Sequence, residues 1–90
     1  MQKAKVFLNG EKWLLKFCRT PSGIYGDCNY QTNEVRVSSR LVGQDKLDVL
    51  LHELIHARWP DLNEESVCEF ASELAGICHA VGFREEWEFL

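Results

Sequence analysis

The amino-acid sequence predicts a small α+β domain in which a mostly antiparallel sheet of three or four strands packs on two helices. Ninety residues with 46% apolar side chains suit a single domain with its own core, here residues 1–90. Over residues 1–37, short β-rich runs alternate with turn residues. From Gln44 onwards, the spacing of the apolar residues changes to that of a helix. These three observations together favour the α+β class.

The predicted strands lie between turn signals. They are residues 5–8, 13–18, 23–29 and 34–37. The first two are separated by Asn9-Gly10, a pair typical of a tight hairpin turn. In the last strand, Val35 and Val37 alternate with polar residues, so this strand should bury one face.

Two helices are predicted after the strands. The first should begin at Asp45, a plausible N-cap, and end near Arg58, ahead of a proline. The second should follow Asn63, another good N-cap, and continue to about Ala80, with Gly82 as its stop. The short connection between them should fold the second helix back beside the first.

The charge of the chain argues against two classes of partner. Its net charge is −4 and its Lys and Arg residues form no run, so we expect no nucleic-acid partner and no anionic membrane surface. No apolar stretch is long enough to span a bilayer. The N-terminal residues lack the apolar segment of a signal peptide, and a cytoplasmic location is therefore expected.

The four cysteines, Cys18, Cys28, Cys68 and Cys78, are expected to be reduced. Cys68 and Cys78 fall in one predicted helix, where their separation is about 15 Å, too far for a disulfide. No pair has the C-x-x-C spacing of a zinc ribbon. We therefore expect small core residues rather than a disulfide framework.

Residues 52–56 read His-Glu-Leu-Ile-His, a spacing that points to metal chemistry. Histidines at positions i and i+4 lie on one face of a helix, so His52 and His56 can direct their imidazole nitrogens at one ion. Glu53 is rotated by about 100° from His52, which suits a base acting on a metal-bound water better than a ligand. A helix can carry such a triplet by chance, but apolar residues flank these histidines, as in a buried helix.

A catalytic zinc usually has three protein ligands, and the second helix supplies the candidates for the third. Glu64 borders the apolar face of that helix and should lie near His56, so it is preferred. Glu65 is the alternative, since helix boundaries are uncertain by a turn. An acid in the first turn would also offset the helix dipole without any metal. His79 should lie about 22 Å along the helix from Glu64, too far to join. The expected apolar face comprises Val67, Phe70, Ala71, Leu74, Ile77, Cys78 and Val81.

The segment LDVLLHELIHARWPDLNEESVCEFASEL resembles the gluzincin metallopeptidases, which combine H-E-x-x-H with a Glu on a following helix. Asn63-Glu64 resembles the N-E-x-x segment that supplies their third ligand. The short spacing is similar to that of very small phage-like domains, the minigluzincins, which also have a Gly-x-Cys-like strand, as in Gly26-Asp27-Cys28 here. The resemblance covers roughly residues 23–83. It implies that Zn²⁺ is bound by His52, His56 and Glu64 and that Glu53 is catalytic.

The resemblance implies a minimal zincin fold and a zinc metallopeptidase that hydrolyses peptide bonds in a peptide or protein substrate. Zincins hold the substrate along an edge strand, and residues 34–37 are the candidate for it. Larger gluzincins place a Tyr or His to stabilise the oxyanion. Tyr25, Tyr30 and His79 are candidates for that role by residue type only.

Two other functions fit the same residues. In one, zinc stabilises a non-catalytic regulatory or binding module of phage or bacterial origin. In the other, the enzyme is latent because its C-terminal tail, with residues 87–90, lies in the cleft and inhibits it. Replacing Glu53 separates the non-catalytic module from the enzyme, because only hydrolysis depends on that carboxylate.

Overall fold

The computed structural model describes residues 2–83 and has the predicted α+β architecture. Its elements in chain order are β1 (Gln2–Leu8), β2 (Glu11–Cys18), β3 (Gly26–Asn29), β4 (Glu34–Ser38), α1 (Gly43–Arg58) and α2 (Glu64–Ala80). The four strands form one sheet, and α1 packs between this sheet and α2. The hypothesis of an inhibitory tail at residues 87–90 concerns a segment outside the described residues.

The sheet is mixed rather than purely antiparallel. Its strand order is β1-β2-β4-β3, with antiparallel pairing of β1 with β2 and of β3 with β4. The central pair, β2 and β4, is parallel, because the chain crosses to the outside of the sheet before the β3–β4 hairpin returns it beside β2. Residues 34–37 lie in β4, which has a strand on each side. Their prediction as the substrate-holding edge strand is therefore wrong, and β3 occupies that edge.

The turn between β1 and β2 shows why the hairpin forms where the sequence predicts it. Asn9 and Gly10 have φ angles of 55° and 75°, and Leu8 pairs directly with Glu11 across them. A two-residue loop with both residues in the left-handed region matches the twist of the strands, and Asn-Gly is the pair that adopts it at least cost.

The core forms where the inward faces of β2 and β4 meet α1. Alternate residues of β2 are buried, as are Val35 and Val37 of β4, both fully inaccessible to solvent. The predicted buried face of this strand is thereby confirmed. The buried cluster comprises Trp13, Leu15, Phe17, Val35, Val37 and Ala57, with Leu50 and Leu54 packed against it.

The two helices differ in how they begin. Helix α1 starts after Val42, which makes no side-chain capping bond; Asp45 lies in the first turn, so its prediction as the N-cap is wrong. Helix α2 is capped as predicted, because the Asn63 side chain accepts a hydrogen bond from the Ser66 amide at 2.8 Å. At the other end of α2, Gly82 has a φ of 93°, the left-handed conformation expected of a helix stop.

Helix α2 buries a narrower face than the sequence predicts. Its buried residues are Val67, Ala71 and Ala75, whereas Phe70 and Ile77 are 45% and 58% exposed. Helix α2 packs mainly on α1, so only one stripe of small side chains is covered. The predicted apolar face is therefore confirmed at Val67 and Ala71, along its centre. The prediction is wrong at Phe70 and Ile77, at its margins.

The structure of residues 2–83 also bears on the predicted state of the cysteines and on whether a helix could span a membrane. None of the four cysteines forms a disulfide; Cys68 is exposed rather than in the core, and the other three are half-buried. Neither α1 nor α2 has the length and apolar character needed to cross a bilayer, and no other helix occurs in this part of the chain.

Candidate metal centre

His52 and His56 form one edge of the site, one turn apart on α1. Their ring centroids are 4.8 Å apart, and each side chain keeps 20% of its surface exposed. The i, i+4 spacing puts both rings on the same helix face, and the half-buried position of this face holds them there.

Glu64, the first residue of α2, completes the group. Its Oε1 atom lies 2.7 Å from His52 Nε2 and 3.2 Å from His56 Nε2. The connection of residues 59–63 and the Asn63 cap fix the start of α2 beside α1, which is why this acid reaches the histidines. The three residues are close enough to hold a metal ion, with all three ligand atoms within 4.8 Å of one another. Neither Glu65 nor His79 belongs to this group.

The donor set fits a small divalent ion. Two imidazole nitrogens converge on one carboxylate oxygen, and ligand atoms around a tetrahedral zinc are separated by about 3.4 Å for bonds of 2.0–2.1 Å. The separations of 2.7 and 3.2 Å are near that spacing. The hydrogen bond from His56, helped by the nearby His52, lowers the pKa of Glu64, so this carboxyl group is readily ionised.

Glu53 lies beside the triad without joining it. Only 9% of its surface is exposed. The pKa of Glu53 is raised to about 7, chiefly by burial; His56 opposes this increase, and the negative charges of Asp27 and Glu64 contribute to it. A carboxyl group that titrates near neutrality in a cleft is a candidate proton acceptor and donor.

Gly26 is the close neighbour that shapes the position of Glu53. A Cβ atom added at Gly26 would lie 3.2 Å from Glu53 Cγ, 2.8 Å from Val49 Cγ1 and 3.0 Å from the Arg36 carbonyl oxygen. Only glycine lets β3 approach α1 so closely at this point. The edge strand therefore runs directly alongside the Glu53 carboxyl group.

A cleft of about 380 Å³ opens beside the candidate ligands. Its wall includes residues 23–26 together with His52, Glu53 and Glu64. Of the three oxyanion candidates, Tyr25 lines this cleft, whereas the Tyr30 hydroxyl donates a hydrogen bond to the His56 carbonyl oxygen at 2.9 Å. His79 does not line it.

Comparison with protein-family models, with curated proteins and with solved structures finds no match to this chain. The gluzincin resemblance accordingly stays a prediction, and the chemistry of the site is inferred from its own geometry.

Three neighbours of the triad were missed in the sequence. Gly26 contacts Glu53 from β3, the Cys68 thiol lies 3.9 Å from Glu64 Oε1, and Asp48 lines the cleft with His52. Helical spacing carried a signal for two of them, because Asp48 precedes His52 by four residues and Cys68 follows Glu64 by four. The contact of Gly26 depends on the strand order and had no local signal.

Proposed function

We propose that the protein is a zinc-dependent metallopeptidase of the gluzincin type that hydrolyses peptide bonds. The observation that carries this proposal is the convergence of His52 Nε2, His56 Nε2 and Glu64 Oε1, with the buried Glu53 alongside. Residues from two helices supply the three candidate ligands, and the open cleft adjoins them. Three protein ligands beside an open cleft are typical of catalytic zinc sites, and this likeness supports the proposal.

Zinc is the ion that this donor set suits best. Two neutral imidazole nitrogens and one carboxylate oxygen are typical of catalytic zinc, whereas calcium and magnesium prefer oxygen ligands alone. His52, His56 and Glu64 would hold the ion. When bound, zinc would supply Lewis acidity toward water and toward a substrate carbonyl group.

Glu53 is the proposed general base. Its neighbours Gly26 and Val49 exclude solvent from one side of the carboxyl group, which keeps its proton affinity high. The ionised form accepts a proton from the attacking water, and the protonated form returns it to the departing amine. The two steps need a carboxyl group whose pKa lies near the working pH.

The substrate peptide is proposed to bind along the edge strand β3. This strand is antiparallel to β4 and is the outer strand on the side of the sheet that contacts α1. An extended peptide that adds to this edge gains main-chain hydrogen bonds and passes Gly26, next to Glu53.

The decisive experiment compares zinc content with peptide hydrolysis. Glu53→Gln should keep about one zinc per chain and lose at least about 10²-fold in kcat/KM, because the base is removed and the ligands are not. Glu64→Gln should lose zinc and activity together. Glu65→Gln, an exposed neighbour of the third ligand, should keep both and serves as the matched control.

The outcomes also separate the enzyme from a zinc-stabilised binding module. Zinc bound at one per chain without cleavage of any peptide in a broad library would contradict the hydrolytic proposal and favour the module. Preparations that stay free of zinc in its presence, or that retain full activity after chelation, would contradict the metal site itself.

A further inference from the structure

A second cleft, of about 420 Å³, lies next to the candidate metal centre. It shares Tyr25, Asp48, Val49 and His52 with the cleft that contains Glu53. The remainder of its lining consists of Leu41, Asp45, Cys68 and Ser72. A side chain of a peptide bound at the candidate metal centre would therefore extend directly into this second cleft.

We propose that this second cleft binds a long cationic side chain, Lys or Arg, of the substrate and so selects peptides with a basic residue near the scissile bond. The inference rests on the proposed function for the identity of the substrate as a peptide. It adds a specificity site, with Asp48 and Asp45 as the charged groups that recognise the cation.

The two carboxylates lie on the same helix face as His52. Asp45 and Asp48 precede His52 by seven and four residues on α1, so all three lie along one face of the helix. Asp48 is about 6 Å and Asp45 about 10 Å along the axis from His52. Asp48 is therefore one turn away from a peptide bond held at the histidines, a separation that the flexible stem of Lys or Arg can bridge.

The walls of the second cleft suit the aliphatic stem of a long cationic side chain. Leu41, Val49 and Tyr25 offer apolar surface between the metal centre and the carboxylates. Lys and Arg bury an aliphatic stem along such surface while the charged end stays at a polar site. A bare metal cation would gain nothing from these walls, and an acidic side chain would be repelled by both carboxylates.

Asp48 is held in place by a hydrogen bond from α2. The Ser72 hydroxyl of α2 donates a hydrogen bond to Asp48 Oδ2 at 3.0 Å, which joins the two helices across the cleft. The Oδ1 atom of Asp48 takes no part in this hydrogen bond. Within the described part of the chain, no Lys or Arg is among the residues that line this cleft, so no cationic side chain of the lining competes for the two carboxylates.

The charge of the helical part supports the same substrate. Residues 39–83 contain eight acidic and three basic residues, whereas residues 2–38 contain three acidic and six basic residues. The helices that form both clefts therefore carry most of the negative charge. Such a field attracts cationic peptides and disfavours acidic ones.

The test uses one peptide scaffold in which each position around the scissile bond is occupied in turn by Lys, Arg, norleucine, Gln or Glu. With the zinc-loaded protein, we expect kcat/KM to be at least tenfold higher for Lys or Arg than for norleucine at one position, and lowest for Glu. Asp48→Asn should reduce the Lys-to-norleucine ratio to below about threefold, and the double variant with Asp45→Asn should abolish it. Glu73→Gln removes an equal charge from the exposed face of α2 and should leave the ratio unchanged.

A binding measurement keeps this inference separate from hydrolysis. Zinc-loaded Glu53→Gln should bind the Lys peptide at least tenfold more tightly than the norleucine peptide, as measured by titration calorimetry. Cleavage with no basic preference would overturn the specificity site and leave the metallopeptidase intact. Preferential binding of the Lys peptide without cleavage by the wild type would support the specificity site and contradict the hydrolytic proposal. Equal binding of the two peptides would overturn the specificity site whatever the hydrolysis shows.

Discussion

At the scale of single residues, Glu53 combines burial with a raised pKa. Its side chain lies between β3 and α1, and its pKa is raised to about 7 chiefly because burial disfavours the charged form. The same burial that suits a proton-transfer group makes ionisation costly for the folded state. The burial that suits the proposed catalytic role of Glu53 therefore lowers the stability of the folded state when this carboxyl group is ionised.

Because Glu53 is buried, the stability of the zinc-free protein should depend on pH. The folded state holds the Glu53 proton up to about pH 7, whereas the unfolded chain releases it near the ordinary value of 4.5. The folded state thus binds more protons in this window, and the free energy of unfolding should fall as pH rises from about 4.5 to 7. The contribution of Glu53 should be roughly 3 kcal/mol at 1.36 kcal/mol per pKa unit.

Urea unfolding of the zinc-free wild type and of Glu53→Gln at pH 5 and pH 8 measures this effect. The variant lacks the titrating group, so its free energy of unfolding does not fall with pH for this reason. From pH 5 to pH 8, the free energy of unfolding of the variant minus that of the wild type should therefore increase by a few kcal/mol. Glu64 acts in the opposite direction, because its pKa is lowered, and its contribution cancels in the comparison. A difference between the two proteins that is the same at both pH values would contradict the buried position of Glu53.

Some parts of the candidate site could be predicted from the spacing of residues in the sequence, and others could not. The i, i+4 spacing is enough to bring His52 and His56 together, because it depends only on the geometry of one helix. The choice of Glu64 over Glu65 needed the start of α2, and Asn63 fixes that start through its capping bond. The contact between Gly26 and Glu53 joins residues 27 positions apart, and no local pattern encodes it.

At the scale of elements, the closest approach between β3 and α1 depends on Gly26. Gly26→Ala should destabilise the protein by about 1–3 kcal/mol, since the added Cβ would lie within 3.0 Å of Val49 and the Arg36 carbonyl oxygen and would press on Glu53. Peptide hydrolysis should fall by more than the loss of folded protein explains. Thermal unfolding and kcat/KM measured on the same preparation separate the two effects.

Gly76 provides the matched control for that substitution. It lies in the interior of α2, and an added Cβ would meet only the Gln44 side chain, at 4.0 Å. Gly76→Ala should therefore stabilise the protein by about 0.5–1 kcal/mol through helix propensity. Equal destabilisation by the two substitutions would show that the closeness of β3 and α1 is not the cause.

The start of α2 links helix stability to the metal centre. Asn63→Ala removes the bond to the Ser66 amide and should cost about 1 kcal/mol. Because Glu64 is the first residue of the helix, fraying of this turn also displaces the third candidate ligand, and zinc affinity should fall by several-fold. Asn63→Asp retains a capping oxygen and should restore both. Competition with a chromophoric chelator measures the affinity, and an unchanged affinity in Asn63→Ala would contradict the coupling.

The elements themselves were predictable to different degrees. The strands and helices were found because each has its own period and its own end signals, such as Asn9-Gly10 and Asn63. The parallel pairing of β2 with β4 was not, since strand order is set by long-range packing rather than by local sequence. The exposure of Phe70 and Ile77 has the same origin, because a helical wheel does not show how wide a surface the neighbouring element covers.

At the scale of the whole molecule, the candidate ligands connect α2 to α1 beside a buried cluster that is smaller than the main core. Within residues 2–83, this cluster comprises Ile55, Val67 and Ala71, with Leu51 and Leu74 partly buried beside it. The larger core lies on the other side of α1, against the sheet. A ligand bridge from His52 and His56 to Glu64 would therefore add to this smaller cluster in holding α2 against α1.

This arrangement predicts how zinc changes the stability of the molecule. Free zinc at 100 times its dissociation constant should stabilise the folded state by about 2.7 kcal/mol, which for a domain of this size raises the Tm by roughly 10–20 °C. The increase should be the same in Glu53→Gln, because the base is not a ligand, and much smaller in Glu64→Gln, because the bridge to α2 is lost. Hydrogen exchange should slow most in the first turns of α2. An equal rise of Tm in Glu64→Gln, or protection confined to α1, would show that zinc does not connect the two helices.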